Sequence, residues 1–299
     1  MHTLLERSPA METLPRREWQ ERRRRHRARV SGLIDDYLQA RQRQEKDPVM
    51  DFLFEYYAFR PSHLKRWSPG FGVRLEGVED LSGWELDGLT AVEGVAWLDP
   101  GRFPRDRLSS LHWILGMLKG TRKRAPNFGC YGMHEWAMVY KADQVRHEQI
   151  PLRMEPDELA RFVESRPPAC THFDAFRFFT EEARPLNRRT LNRDSFAENE
   201  QPGCLHTNMD LYKWAFKFQP WISGEALLEA FELALRARIV DMKASPYDLR
   251  ERGLEPIRIE TPEGRREYVR RQNELYEQSR PVRKRLIREY GRLAKCFGT

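Results

Sequence analysis

No run of apolar residues in this chain approaches the roughly 20 needed to span a bilayer. Residues 1–20, MHTLLERSPAMETLPRREWQ, hold no apolar stretch ahead of a small-residue cleavage site. A membrane partner and a secretory route are therefore not expected, and a cytoplasmic location is. Cysteine is scarce: four in 299 residues (Cys130, Cys170, Cys204 and Cys296), with no CxxC spacing. That argues against a disulfide framework and against a zinc ribbon. The thiols are expected to be reduced and to serve as small packing residues. No segment recurs at a fixed period, which argues against a solenoid of recognisable units.

What the chain does have is charge. Apolar residues make up 40% and charged residues 32%, with a formal net charge of +7. This is the composition of a globular protein with a highly charged exterior. The excess of cations favours an anionic partner, with DNA or another nucleic acid first. Much of it lies in RREWQERRRRHRARV (16–30) and RPVRKRLIREYGRLAK (280–295). Charged helical ends are also common on proteins that never meet nucleic acid.

Periodicity predicts a mainly α fold: a single helical domain with a small β insertion around residues 70–100 and long charged helices at both ends. Residues 1–48 read as a basic helical extension, with a helix over 16–46. Residues 49–262 read as a helical core carrying the candidate site. Residues 263–299 read as a charged C-terminal helix. Within the core, the aromatic run VMDFLFEYYAF (49–59) suits a buried helix that ends near Pro61. Further helices are expected over 105–119, 156–165 and 224–242, the last as an apolar core helix.

Three stretches have a different texture. PNFGCYGMHEWAMVY (126–140), PPACTHFDAFRFFTEEARPLN (167–187) and ENEQPGCLHTNMDLYKWAFKFQPW (198–221) each place a cysteine just before a histidine, with an acid close by. The other five histidines, His2, His26, His63, His112 and His147, lie elsewhere. Convergence of the three would bring together imidazole and carboxylate, the ingredients of a transition-metal or acid–base site. His134, His172, Asp174 and His206 are the metal-ligand candidates, since His172-Phe173-Asp174 supplies half of a facial triad. Against this, a histidine among aromatics often serves as a core hydrogen-bonder. Aromatic residues follow each histidine: Trp136, Tyr140, Phe173, Phe176, Tyr212 and Trp214 are candidates to line a slot for a small aromatic or nucleobase-like ligand. Arg177, Asn208, Lys213 and Asp210 are interleaved with them. Burying such polar groups unpaired would cost several kcal/mol, so some should face a cavity or one another.

FGCYGMHEWAMVY, THFDAFRFF, EQPGCLHTNMDLYKWAFK and ASPYDL…PIRIETPEG resemble a bacterial family labelled 3-methyladenine DNA glycosylase, over most of the chain. The resemblance implies a DNA-repair hydrolase that releases alkylated purine from DNA and needs no cofactor. A flipped cationic base would need an aromatic slot and a carboxylate near C1′. Asp174, Glu135 and Asp210 are the carboxylate candidates, with His172 beside them. Arg177, Lys213, Arg188 and Arg189 are candidates to hold phosphates. Two other expectations compete. One is a metal-dependent enzyme, with iron or zinc at a His/His/Asp site, acting on a nucleobase-like molecule. The other is a non-enzymatic nucleic-acid-binding protein.

Overall fold

The structure is a computed structural model and describes residues 11–145 and 148–298; His2 and His147 lie outside these. The fold is mainly α with one small β part. Strand β1 (Glu12–Leu14) is followed by helices α1 (Arg16–Gln42) and α2 (Pro61–Leu64). Strands β2 (Val73–Glu76), β3 (Leu89–Val92) and β4 (Val95–Leu98) come next, then α3 (Leu108–Lys123), α4 (Met133–Ala137) and α5 (Pro156–Ser165). The rest of the chain forms α6 (Phe173–Phe176), α7 (Phe196–Asn199), α8 (Leu205–Lys217), α9 (Gly224–Ala244) and α10 (Pro262–Cys296). Among the described residues no helix is long and apolar enough to cross a membrane.

The chain forms two compact units, each discontinuous in sequence. The first takes residues up to Leu118, Leu211–Glu232 and those from Pro281 onward; the second takes Lys119–Asp210 and Leu233–Arg280.

In the first unit, α1 buries Trp19, His26, Val30, Ile34 and Tyr37. Their spacing of three, four or seven puts them on one stripe, and the arginines between them face outward. The Trp19 indole donates to the Glu76 carbonyl (2.8 Å), and the His26 ring meets the Leu64 carbonyl (2.8 Å). The sheet runs in the order β1-β2-β4-β3, with β1 parallel to β2 and the other pairs antiparallel. Glu93 and Gly94 link β3 to β4 with φ of 50° and 77°. Two consecutive left-handed residues match the twist of a tight hairpin. Strand β1, at three residues, is too short to show alternation and was not expected.

The aromatic run departs from the helix expected over 49–59. It makes one π-helical turn, Phe52–Tyr56, and then breaks at Ala58 with φ 53°. Phe52, Phe54, Tyr56, Tyr57 and Phe59 fall on several sides of any helix, so no single apolar stripe forms. They pair with one another and with rings elsewhere in this unit: Phe52 stacks on Tyr56 at 4.7 Å, and Phe59 on Phe216 at 3.8 Å.

The second unit holds His134, His172 and His206, and the third histidine stretch belongs to it only as far as Asp210. Its short helix α4 is anchored by Trp136, whose indole donates to the Ala244 carbonyl (2.9 Å) and whose ring meets Phe162 of α5 edge-on at 4.7 Å. The start of α10 explains the TPEG sequence. The Thr261 hydroxyl accepts from the Gly264 amide (3.0 Å), a helix N-cap, and Pro262 occupies the first helical position, where its missing N–H costs nothing. A Cβ on Gly264 would lie 1.9 Å from the Arg258 carbonyl oxygen. Backbone must shift to admit even alanine. Gly264→Ala is therefore expected to destabilise the fold by about 1–3 kcal/mol, the usual range for overpacking, read as a lower urea midpoint at unchanged slope.

Candidate active site

The three histidines meet in the second unit. His134 lies on α4, His172 immediately precedes α6, and His206 lies in the first turn of α8. The His134 and His206 rings are 4.4 Å apart, edge to face, and the His172 and His206 rings are stacked at 5.4 Å. All three are buried. His206 stands between the other two and joins two groups of donor atoms.

The first group is His134, His206 and Asp241 of α9, whose ligand atoms lie within 4.8 Å of one another. His134 Nε2 donates to Asp241 Oδ1 at 2.6 Å, and Arg238 Nη1 donates to Asp241 Oδ2, also at 2.6 Å. The same Arg238 nitrogen reaches Glu135 Oε1 at 2.6 Å. Burial alone would raise the Asp241 carboxyl, but the charges of His134 and Arg238 outweigh it and hold it below its ordinary value. Burial would likewise lower His134; Asp241 and the Cys130 sulfur outweigh it and hold the imidazole well above its ordinary value. Asp241 is thus occupied by two cationic side chains. A metal ion here would have to displace the proton of His134 and face the Arg238 guanidinium.

The second group is His172, Asp174 and Asp210, again with ligand atoms within 4.8 Å of one another. His172 Nδ1 donates to Glu200 Oε1 at 2.7 Å, which turns Nε2 toward Asp210 Oδ2, 3.9 Å away. Burial would lower His172, and the Glu200 charge overrides it. Arg177 is 3.7 Å from Asp174 but is itself exposed. Asp174 is only partly buried and gives this group a solvent side, whereas Asp210 is 1% exposed. The remaining oxygen of Glu200 is buried with no hydrogen-bond partner among the described residues, the kind of orphan that an ion or water commonly satisfies. One imidazole and two carboxylates fit a hard or borderline divalent ion.

His206 is different again. Burial, then the charges of His134 and His172, push it well below its ordinary value, so it stays a neutral ring between two cationic ones.

The other expected site residues divide. Glu135 is fixed by Arg238, and Asn208 is buried with its amide donating to the Pro202 carbonyl (3.1 Å). Trp136 is fully buried as a packing anchor, and Tyr140 donates its hydroxyl to Glu164 (2.7 Å). Phe176 packs on Phe179 at 5.2 Å, whereas Phe173 is partly exposed. Arg177 lies over the exposed ring of Phe178, 4.6 Å from its centroid. Tyr212, Lys213 and Trp214 belong to the first unit, where Tyr212 meets Phe231 edge-on at 5.2 Å. Glu200, Arg238 and Asp241 were not anticipated. The signal for the last two was an Arg–Asp pair three residues apart in the helix 224–244, on its buried side. Cys130, expected as a packing residue, instead lies 3.4 Å from the His134 ring through its sulfur.

The basic excess also has a structural counterpart. In the first unit Arg23, Arg27, Lys65 and Arg66, with Trp67 and Trp84, line a cleft of about 590 Å³. Lys65 pairs with Asp35 and Arg66 with Glu85, each at 2.6 Å, while Arg23 lies 4.2 Å over the Trp84 ring.

The histidines predict opposing pH effects. The depressed His206 contributes stability that is present above its unfolded value, about 6.5, and lost as pH falls through the folded value. The raised His134 and His172 contribute stability present in full below about 6.5 and lost as pH rises through their folded values. Urea unfolding from pH 7 to 5 isolates the first effect as a difference: His206→Gln is expected to lose less stability on acidification than the native chain. Comparison of the chain with protein-family models, curated proteins and solved structures finds no match in any of the three.

Proposed function

We propose that this chain is a metal-dependent enzyme, with a divalent first-row ion such as iron, manganese or zinc held by His172, Asp174 and Asp210. The observation that carries the reading is the bond from His172 Nδ1 to Glu200. A histidine that ligates a metal through one ring nitrogen usually donates the other N–H to a carboxylate, which fixes the ring and raises its basicity. Three protein ligands leave positions open for water and substrate. An ion so held would lower the pKa of bound water from about 15.7 toward about 7, giving a nucleophile for hydrolysis. The partly exposed Phe173 and Asp174, with Arg177 over the Phe178 ring, favour a planar, nucleobase-like substrate carrying negative charge.

Metal titration of the chelator-stripped protein tests this directly. One equivalent is expected to bind, Asp174→Ala and His172→Ala are expected to abolish binding, and Glu200→Gln to weaken it by about 10–100-fold. Affinity unchanged in all three variants would refute the assignment.

The cleft lined by Arg23, Arg27, Lys65 and Arg66 favours a second reading, in which the protein contacts DNA phosphates and Asp174 assists release of an alkylated purine. The two readings part in chelator. Incubation with alkylated DNA in its presence is expected to release no free base above a heat control; release that persists there and disappears in Asp174→Asn would favour the glycosylase.

A further inference from the structure

Cys130 belongs to neither carboxylate trio's ion chemistry, yet its surroundings are chemically specific. Its Sγ lies 3.4 Å from His134 Nδ1, and on the opposite side of the ring His134 Nε2 donates to Asp241 Oδ1 at 2.6 Å. Sulfur, imidazole and carboxylate stand in line, the order that nucleophilic catalysis requires: a nucleophile, a base to activate it, and an acid to orient the base. The carboxylate is itself fixed by Arg238. Cys130 is partly exposed, whereas Cys170, Cys204 and Cys296 are buried.

A fourth group completes the arrangement. The Tyr268 hydroxyl is buried and has no hydrogen-bond partner among the described residues. Its ring lies against the backbone two residues from Cys130, since a Cβ on Gly132 would be 3.3 Å from Tyr268 Cε2. Gly132 has φ 76° and leads directly into α4. Burial, and then the nearby Cys130 sulfur and Asp241, hold the phenol well above its ordinary value, so it remains a donor.

We propose that Cys130 is a nucleophile for acyl transfer from a small ester or thioester, with His134 as its acid–base partner, Asp241 as the residue that positions His134, and the Tyr268 hydroxyl as the donor to the developing oxyanion. The thiolate adds to the acyl carbon, and the carbonyl electron pair moves to oxygen. As it returns, the bond to the leaving group breaks, and His134 gives its Nδ1 proton to the departing oxygen or sulfur. The product is an acyl thioester on Cys130. Water, deprotonated by the now neutral His134, then cleaves that thioester. A carboxylic acid leaves, and the thiolate–imidazolium pair is restored with no further reactant. This chemistry uses no ion and stands apart from the His172 trio.

The groups that face Cys130 are consistent with a standing thiolate. The neighbouring Cys170 and the charge of His134 draw the sulfur well below the usual thiol range. Tyr268 and Cys204 are the other titratable groups close enough to sense its charge.

The full-length chain, held in chelator so that the ion chemistry cannot contribute, is treated with p-nitrophenyl acetate. Nitrophenol release is followed, and the acetyl group is located by peptide mass spectrometry. One acetyl per chain is expected, on Cys130, at a rate that falls less than about tenfold between pH 8 and pH 6. An ordinary thiol, with pKa about 8.5, loses most of its thiolate over that range. His134→Ala is expected to slow the reaction by about 100-fold, the typical contribution of a positioned acid–base group. Tyr268→Phe is expected to slow it while leaving labelling of Cys130 by iodoacetamide, which builds no oxyanion, unchanged. Acetylation elsewhere, a rate that tracks a free thiol across pH, or no effect of His134→Ala in a folded variant would each overturn the proposal. Should His134→Ala fail to fold, the pH profile of the native chain and the Tyr268→Phe comparison decide the matter.

Discussion

A carboxylate with no water around it governs the second unit. Asp241 is wholly buried and satisfies both its oxygens with cations, His134 on one and Arg238 on the other. Stripping a carboxylate of water costs several kcal/mol, and the return depends on geometry this close. Removing one partner of such a pair typically costs about 3–5 kcal/mol, because the other charge is left stranded. Arg238 extends the constraint by holding Glu135 on the helix that also carries His134. Helices α4 and α9 are thereby tied by charge at two adjacent positions, and the imidazole between them has little freedom to turn.

From that constraint follows a division of labour among the histidines. His134 is held as a cation by its acid and its sulfur neighbour. His172, turned by Glu200, points its other nitrogen at two further carboxylates. His206, pressed between two charged rings, remains neutral. With His206 neutral between the other two, the three rings share one buried volume with less repulsion than three cations would have. His206 also sets the His134–Asp241 pair apart from the His172 carboxylate group by a single ring.

The sequence carried part of this and concealed part. The recurring cysteine–histidine–acid texture was visible in three distant stretches, and their convergence was an expectation drawn from it. The acids that complete the arrangement were not visible as such. Arg238 and Asp241 sit in GEALLEAFELALRARIVDM, where apolar periodicity dominates and reads as plain core; two charges three residues apart on a buried face were the available clue. Glu200 was hidden in a turn-rich segment. Aromatic residues misled in the opposite sense. Tyr212 and Trp214 follow His206 closely in sequence but fill the interior of the first unit, because helical spacing does not distinguish a pocket wall from packing. The long helices were legible from charge and stripe alone. The π-helical turn at Phe52–Tyr56 was not, since it answers to crowding among rings and not to a period.

The discontinuity of the two units bears on the order in which the chain can acquire structure as it leaves the ribosome. Every segment of the second unit has emerged by Arg280, whereas the first still lacks the stretch from Pro281 onward. The first unit therefore cannot close until the stretch from Pro281 onward is made, and the buried histidine cluster belongs to the unit whose segments are all made earlier.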